Sequence, residues 1–263
     1  MHIGIVMPLK SRKISRNWRV TCDSLLATLK SIENQSDRNF STIIVGHEKP
    51  EFLDHEYPDV HFEAVKFAPP NRSSPDFKHQ NLVEDKNLKI ATGIVKLSAI
   101  KKIDYWYQLD ADDLLRHDFI ATINSIEEAM GVVLDGGYLI YKSAKRFIPS
   151  SELSLHCGST SIISDKIMNI PTTLEPADLQ KIPWTSIAHS NMHSYFKRHC
   201  KDNYKVITTP LIAYTLSSGD NISDKWRGGF LNQIKSKLKP FILGKKLNNK
   251  LLKVFGQTME DYK

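Results

Sequence analysis

Three aspartates stand close together immediately after a short aromatic run in the middle of the chain. Residues 105–109 are followed by Asp110, Asp112 and Asp113, with one alanine between the first two. Asp110 and Asp112 are two residues apart, so in extended backbone their side chains share a face. Two such carboxylates offer the hard oxygen ligands that hold Mg²⁺ or Mn²⁺ against a diphosphate. The same letters also suit an acidic turn before a helix that begins near Asp118, because Asp is favoured in turns and at helix starts.

Strand-like and helix-like segments alternate through the first half of the chain. Strand patterns occupy residues 2–7, 40–46, 60–67 and 105–109, and helical patterns occupy residues 20–34 and 82–101. This order predicts an α/β fold with a mainly parallel sheet flanked by helices, because right-handed crossovers make that arrangement the default. The aspartates then lie at the carboxyl end of a buried strand, where open α/β sheets bind their ligands.

The second half of the chain has an α+β pattern. Helical patterns cover residues 118–130 and 185–199, and strand patterns cover residues 136–141, 154–164, 204–208 and 211–216. No convincing linker occurs before about Ser223. We therefore predict one domain over residues 1–222, with halves at 1–115 and 116–222, and a tail over residues 223–263.

The tail interleaves apolar residues with lysines. This composition suits short amphipathic helices on an anionic membrane surface. The alternative is a C-terminal helix whose apolar face docks on the preceding domain. The sequence leaves both open.

Length and composition narrow the classes of protein. A chain of 263 residues with 41% hydrophobic content can bury a full core. No apolar run reaches membrane-spanning length and the first residues do not resemble a signal peptide, so a cytoplasmic protein is expected. Cys22, Cys157 and Cys200 are odd in number and widely spaced, which predicts reduced thiols and no zinc site. The net charge of +7 favours an anionic partner, but no nucleic-acid reader motif is present.

The sequence resembles the nucleotide-sugar glycosyltransferases of the GT-A fold. It is most similar to the family-2-like bacterial enzymes and their rhamnosyltransferase-like group. The resemblance covers about residues 1–223 and is carried by residues 5–8, 24–35, 40–45, 109–113 and 183–191, in that order. It implies that residues 1–115 form a nucleotide-binding half and residues 116–222 an acceptor-side half.

The resemblance also implies roles for individual residues. A metal site holding Mn²⁺ or Mg²⁺ would comprise Asp110, Asp112 and His189. Contacts to the nucleotide-sugar donor would come from Pro8, Leu9, Arg12, Glu48, Lys89, Asp110 and Ala111. His189 and Asn191 would be catalytic, and Trp184 and His193 would contact the acceptor.

Two departures from the family pattern matter for these roles. Glu48 stands where family-2 enzymes have an acidic pair that reads the base. His189 and Asn191 stand where they have a Glu-Asp pair that deprotonates the acceptor. His189 is therefore a candidate general base, because its ordinary pKa lies near working pH, or alternatively a metal ligand or a structural residue.

Several other residues have a structural alternative. Trp184 could stack on a sugar ring or pack in the core. Lys89 could face the diphosphate or lie on a solvated helix face. Arg12 could bind phosphate or keep a loop soluble.

The resemblance implies a metal-dependent enzyme that transfers a hexose to a hydroxyl of a bacterial surface glycan, such as an O-antigen, capsule or lipooligosaccharide. A UDP-sugar is the preferred donor and dTDP-rhamnose the second choice. The acceptor is expected to be a glycan or a lipid-linked saccharide, reached through peripheral contact of the tail with the inner face of the cell membrane. The alternatives are a non-catalytic nucleotide-sugar or membrane-binding module and a phosphohydrolase with Asp110 as nucleophile.

Overall fold

Two β-sheets form the framework of the protein, which the computed structural model describes for residues 1–201, 203–216 and 238–262. The strands are β1 (Ile3–Pro8), β2 (Phe40–Gly46), β3 (His61–Ala64), β4 (Tyr105–Gln108), β5 (Leu114–Leu115), β6 (Gly131–Leu134), β7 (Gly137–Tyr141), β8 (Arg146–Ser150), β9 (Ser161–Ser164), β10 (Tyr204–Ile207), β11 (Ile212–Leu216) and β12 (Lys245–Lys246). The helices are α1 (Trp18–Glu33), α2 (Leu53–Glu56), α3 (His79–Ser98), α4 (Phe119–Ser125), α5 (Pro176–Leu179), α6 (Pro183–Ser186), α7 (Met192–His199) and α8 (Asn249–Val254).

The larger sheet has seven strands in the order β10-β6-β9-β4-β1-β2-β3. Strand β9 runs antiparallel to both of its neighbours, and the other pairs are parallel. The predicted α/β class, a mainly parallel sheet flanked by helices, is confirmed. Strands β1 and β4 are direct neighbours, so their carboxyl ends meet at one edge of the sheet.

The two faces of this sheet are covered by different helices. Ile5 and Met7 of β1 belong to the same apolar cluster as Leu25 of α1. Val6, between them, belongs to the cluster that includes Ile90 of α3, as the alternation of side chains along a strand requires. A Cβ on Gly93 of α3 would lie 2.4 Å from Val6, so glycine lets α3 lie close on the sheet.

The smaller sheet, in the order β12-β8-β7-β11-β5, is formed by residues from Leu114 onward. Strand β5 follows the acidic residues directly and pairs with β11. Strand β12, from the tail, pairs with β8 at the opposite edge. The turn that carries Asp110 and Asp112 therefore connects the two sheets.

Several predicted boundaries shift. Helix α1 begins at Trp18 rather than Val20, because the Asn17 side chain caps it by accepting from the backbone N–H of Arg19 at 3.0 Å. The helix expected over 118–130 ends at Ser125. The strand expected over 154–164 consists of a 3₁₀ turn at Leu153–Leu155, a loop, and β9.

The single helix expected over residues 185–199 is wrong. Its residues are divided among α6, a 3₁₀ turn at His189–Asn191, and α7. Ile187 and Ala188 have ψ values of 126° and 134°, so extended backbone separates the helical pieces. His189 and His193 therefore do not share the face of one helix.

Part of the tail packs against the preceding structure. Leu252, Phe255 and Tyr262 are buried in one apolar cluster with Ile140 and Phe147 of the smaller sheet. For residues 245–262 the docking alternative is therefore confirmed. The predicted boundary at residue 222 and the tail up to residue 237 lie outside the described residues, so the division at 222 stays a prediction.

The sequence predicts that the thiols are reduced and that the chain does not span a membrane. Cys22, Cys157 and Cys200 are all free, and the last two are buried. In the part of the chain that the structure describes, every helix is too short or too polar to span a bilayer.

Candidate functional site

A cavity of about 760 Å³ lies where strands β1 and β4 end. Pro8 ends β1 and Leu9 follows it, while Asp110, Ala111 and Asp112 come after β4. All five residues line the cavity. The volume is within the range of about 300–1,000 Å³ typical of small-molecule sites. The structure thus brings these five predicted residues together at the position expected for a ligand.

The acidic turn is held in place by hydrogen bonds to Asp113, which is fully buried. Its carboxylate accepts hydrogen bonds from Ser159 Oγ at 2.6 Å and Cys157 Sγ at 3.1 Å. Ser159 Oγ in turn accepts from the backbone N–H of Asp110 at 2.8 Å. Burial, with the charges of Asp112 and Asp110, raises the pKa of Asp113 well above its usual range. Asp113 therefore positions the turn and does not line the cavity.

Asp112 is a cavity carboxyl group whose pKa is shifted upward by burial. Burial raises its pKa to about 6; the charge of Asp110 adds to the rise, while Lys10, Lys86 and Lys142 lower it. A carboxylate in this position gains from any nearby cation, because a positive charge favours its ionised form. Such perturbed groups in a cavity mark candidate functional residues.

Asp110 forms an ion pair with a lysine that the sequence reasoning missed. Lys86 Nζ lies 2.5 Å from Asp110 Oδ1, and both side chains line the cavity. Burial opposes the charge of Lys86, but the Asp110 carboxylate outweighs it and raises the Lys86 pKa. Lys86 and Lys89 are three residues apart on α3, so helical spacing alone would have offered Lys86 as a second candidate.

Lys89, for which a contact to the diphosphate is predicted, also lines the cavity, but its ammonium group already has partners within the protein. Its side chain is 1% exposed, and Nζ donates to the backbone carbonyl of Leu9 at 2.9 Å and to Asp85 Oδ2 at 2.6 Å. Burial lowers its pKa, although Asp85 opposes the change. Lys89 therefore anchors the loop after β1, and its ammonium is already engaged there.

Arg12 and Glu48 contact each other rather than the cavity. Glu48 Oε2 accepts from the backbone N–H of Arg12 at 3.0 Å, and the guanidinium of Arg12 lies over the Trp18 ring at 5.3 Å. Neither residue is among those that line the cavity. The donor contacts of Arg12 and Glu48 stay a prediction that the shape of this cavity does not support.

His189 lies on the cavity wall with one ring nitrogen fixed. Nδ1 is 2.7 Å from the backbone carbonyl of Ser154, which can only accept, so we assign the proton to Nδ1. Nε2 is then the nitrogen with a lone pair, as a general base or metal ligand requires. The turn that carries Ser154 is itself held, because Ser154 Oγ donates to Asp135 Oδ1 at 2.5 Å.

His193 and Asn191 are placed away from the cavity. His193 Nε2 lies 2.9 Å from Asp135 Oδ2, so it braces the same aspartate that holds Ser154. Neither His193 nor Asn191 is among the residues that line the cavity. The acceptor contact predicted for His193 and the catalytic role predicted for Asn191 have no geometric support here.

Trp184 belongs to the core. Its side chain is 1% exposed, and its indole N–H donates to Ser161 Oγ at 3.2 Å. The predicted stacking on a sugar is therefore corrected to the packing alternative. Residues 185–189, which follow it, line the cavity instead.

The three predicted metal ligands are not gathered into one cluster. Among the residues that the structure describes, no group of three His, Cys, Asp or Glu side chains lies close enough to hold a metal ion. Asp110 and Asp112 remain a pair of carboxylates on one wall. Protein sites for Mg²⁺ and Mn²⁺ commonly use one or two carboxylates, with substrate phosphates and water completing the shell, so this pair fits such an ion when a diphosphate is also bound.

Comparison with known proteins gives a limited result. No family model matches the chain, and no curated protein matches it. Solved structures that are similar include TarS 1–349 of S. aureus in complex with UDP, at 10% identity and a TM-score of 0.47, covering 86% of this chain and 62% of that one. The glycosyltransferase GlyE of Streptococcus pneumoniae TIGR4 has 10% identity and a TM-score of 0.40, covering 90% and 60%. HddC from Yersinia pseudotuberculosis has 12% identity and a TM-score of 0.43, covering 81% and 92%.

The chain thus spans about three fifths of the length of TarS 1–349 and of GlyE. At these identities and TM-scores the matches do not specify a reaction. Fold and site together define an α/β protein with a ligand cavity at the carboxyl edge of its main sheet. The reaction has to be inferred from the residues of that cavity.

Proposed function

We propose that this protein is a glycosyltransferase that moves a hexose from a nucleotide-sugar donor to a hydroxyl group of an acceptor. The observation that carries the proposal is the cavity in which Asp110 and Asp112 stand with a lysine on one side and His189 also lines the wall. These residues could serve both parts of the reaction. The lysine and a cation on the two carboxylates would bind the diphosphate, and His189 would act as a base for the acceptor hydroxyl.

The donor end of the cavity is formed by the loop after β1 and by α3. Lys86 supplies a positive charge there, and Lys89 fixes the Leu9 backbone that forms the wall. By the resemblance seen in the sequence, the nucleotide would lie against Pro8 and Leu9. Lys86 then stands where it can bind a phosphate oxygen of the diphosphate, which leaves with negative charge when the glycosidic bond breaks.

Asp110 and Asp112 would hold Mn²⁺ or Mg²⁺. The fit depends on their hard oxygen donors and on the raised pKa of Asp112, which a cation would offset. A divalent cation bound there supplies Lewis-acid stabilisation of the departing nucleoside diphosphate.

His189 would activate the acceptor. As the acceptor oxygen bonds to the anomeric carbon, Nε2 of His189 takes the hydroxyl proton, and the bond from that carbon to the diphosphate oxygen breaks. Hydrogen bonding of Nδ1 to the Ser154 carbonyl keeps Nε2 in the acceptor form. General bases of this kind contribute about 10²- to 10⁴-fold to rates.

The finer identity of the substrates follows the sequence resemblance. We propose a UDP-sugar as the first donor to test and dTDP-rhamnose as the second. The acceptor is proposed to be a bacterial surface glycan or its lipid-linked precursor. Contact with an anionic membrane would come from residues 238–243, where Phe241, Ile242 and Leu243 are 58%, 74% and 62% exposed.

A thermal-shift screen tests the proposal. The protein is heated with UDP-, GDP-, dTDP- and CMP-sugars, each with and without Mn²⁺. The nucleotide-sugar and metal that raise the melting temperature are then assayed together for release of nucleoside diphosphate. A ligand at a hundred times its dissociation constant adds about 2.7 kcal/mol to stability, which is readily measured. Asp112→Asn should lose the metal-dependent shift, whereas Asp59→Asn, at an exposed position outside the cavity, should keep it.

The alternatives predict different results. A non-catalytic module would bind a nucleotide-sugar without transfer to any glycan acceptor. A phosphohydrolase would release phosphate from a monoester and show no preference for nucleotide-sugars. Absence of a shift with all four donor classes would contradict the proposed transferase.

A further inference from the structure

The ion pair between Lys86 and Asp110 has a consequence for the order in which ligands bind. The Lys86 ammonium lies 2.5 Å from Asp110 Oδ1, close enough for a charge-assisted hydrogen bond. Asp110 is one of the two carboxylates proposed to hold a cation. In the free protein, one of its oxygens is therefore already bound to a positive charge.

A divalent cation and the Lys86 ammonium would compete for this carboxylate. Two positive charges on one carboxylate repel each other strongly at such separations, even when the surroundings are partly solvated. Asp112 does not offer the cation an uncompensated carboxylate instead, because the positive charges of Lys10, Lys86 and Lys142 already stabilise its ionised form. The carboxylate pair should therefore bind a cation weakly as long as Lys86 remains on Asp110.

Lys86 is able to move away from Asp110. Its side chain is 31% exposed and that of Asp110 is 24% exposed, so the pair faces the cavity and is not locked in the core. A lysine also places its charge at the end of a flexible four-carbon stem. Lys89, one turn further along α3, lacks this freedom because its ammonium is buried between Leu9 and Asp85.

Gly158 leaves the space in which the pair meets. A Cβ at this position would lie 2.9 Å from both Asp110 Oδ2 and Lys86 Nζ. The Gly158 backbone is fixed, since its carbonyl accepts from Gln108 Nε2 at 2.8 Å. A larger residue would press on both partners, so the glycine leaves room for the ion pair.

We propose that Lys86 exchanges the Asp110 carboxylate for the diphosphate of the donor, and that this exchange makes cation binding at Asp110 and Asp112 depend on donor binding. The inference rests on the proposed function, because it assigns Lys86 to the donor of that reaction. Binding of the diphosphate removes the ammonium from Asp110, and the freed carboxylate then binds the cation. By linkage, a cation must strengthen diphosphate binding by the same factor.

The test measures two affinities that the proposal moves in opposite directions. Mn²⁺ binding in the absence of any phosphate is measured by electron paramagnetic resonance, and pyrophosphate binding in EDTA is measured by calorimetry. For Lys86→Gln, Mn²⁺ should bind about tenfold more tightly and pyrophosphate about tenfold more weakly than in the unchanged protein, a coupling of ordinary size. Lys86→Arg keeps the charge and should resemble the unchanged protein in both measurements.

Lys96→Gln is the matched control. Lys96 lies on the same helix, pairs with Glu63 at 3.0 Å, and is not among the residues that line the cavity. Its replacement should leave both affinities unchanged. Circular dichroism and melting temperature confirm that each variant is folded.

The outcomes separate this inference from the proposed function. Unchanged or weakened Mn²⁺ binding in Lys86→Gln would overturn the exchange, whatever the protein catalyses. Opposite shifts for Mn²⁺ and pyrophosphate would support it, even if no nucleotide-sugar were turned over. In that last case the exchange would stand and the transferase proposal would fail.

Discussion

Asp110 and Asp112 are two like charges in a partly buried turn, and the protein compensates them unequally. Lys86 contacts Asp110 directly, whereas Asp112 keeps a pKa raised to about 6. Groups that oppose folding in this way are found where binding or catalysis requires them. The destabilisation that the buried Asp112 carboxylate causes can therefore be measured from the melting temperature.

Replacing Asp112 by Asn should stabilise the protein in buffer that contains EDTA. The folded protein holds a proton on Asp112 up to about pH 6, whereas the reference value is 3.8, so the contribution of Asp112 to stability falls as pH rises between these values. Asn at this position carries no charge at any pH, so the variant does not lose this stability as pH rises. Melting temperatures measured from pH 4 to 8 should show a gain of roughly 2–5 °C above pH 6 that vanishes near pH 4.

Asp59→Asn serves as the control, because Asp59 is exposed and lies outside the cavity, so its replacement should change the melting temperature little. If Asp112→Asn melted below the unchanged protein at pH 8, the burial cost assigned to Asp112 would be wrong.

His189 should be needed for turnover and not for donor binding. His189→Gln keeps a polar side chain of similar reach but cannot take a proton from the acceptor. We expect kcat to fall about 10²- to 10⁴-fold, while the affinity for the donor nucleotide changes little. Transfer kinetics and calorimetry with the nucleotide identified in the thermal-shift screen measure the two quantities.

His55→Gln is the control for this experiment, since His55 is an exposed residue of α2. Equal losses of kcat and of nucleotide affinity in His189→Gln would point to a binding role instead of proton transfer.

At the scale of elements, local patterns predicted the sheet and the acidic turn well. Buried runs such as β1 and β4 are determined by their own sequence, and the turn after β4 is marked by its aspartates. Local patterns could not predict which of Lys86 and Lys89 presents its ammonium group to the cavity. Both occupy one face of α3, and the Lys89 ammonium is buried against Asp85 and the carbonyl of Leu9, which comes from another element.

The segment from Pro183 to His199 shows where prediction from local sequence patterns fails. Its apolar spacing predicted one helix, but Ile187 and Ala188 adopt extended backbone between α6 and α7. That break turns His189 toward Ser154, with which it forms a hydrogen bond 35 residues away in sequence. A contact of this kind depends on tertiary packing, which outweighs helical periodicity and cannot be read from a local window.

Trp184 should affect stability rather than acceptor recognition. Its ring is buried and packs where α6 meets α3, so Trp184→Ala would leave a large cavity. We expect the free energy of unfolding to fall by about 3–5 kcal/mol, as measured by urea denaturation. Trp184→Phe should be milder and should leave the KM for the acceptor unchanged; a raised acceptor KM without loss of stability would restore the stacking role.

For the whole molecule, the end of the chain divides into a docked part and an exposed part. Residues 245–262 add strand β12 and a buried cluster to the smaller sheet. Just before them, residues 238–243 present Leu238, Phe241, Ile242 and Leu243 to solvent. Between Asp224 and Glu260 the sequence has many lysines and no acidic residue. Exposed apolar side chains among unopposed positive charges are typical of surfaces that bind anionic membranes.

The combined variant Phe241→Ser, Ile242→Ser and Leu243→Ser should bind anionic vesicles at least about tenfold more weakly, because each buried methylene contributes about 0.8 kcal/mol to membrane affinity. Co-sedimentation with vesicles of phosphatidylcholine and phosphatidylglycerol measures this. Added salt should weaken binding of the unchanged protein, since screening reduces the attraction of the lysines.

Ile100→Ser is the matched control for that variant, because Ile100 is 65% exposed and lies outside the tail. Both changes are at exposed positions, so neither should lower the melting temperature by much, and a difference in vesicle binding would then reflect the surface itself. If the unchanged protein bound pure phosphatidylcholine as well as the anionic mixture, the lysines would have no part in binding. If it bound neither, the apolar residues at 238–243 would not be a membrane contact, and the proposed transferase reaction would have to use an acceptor in solution.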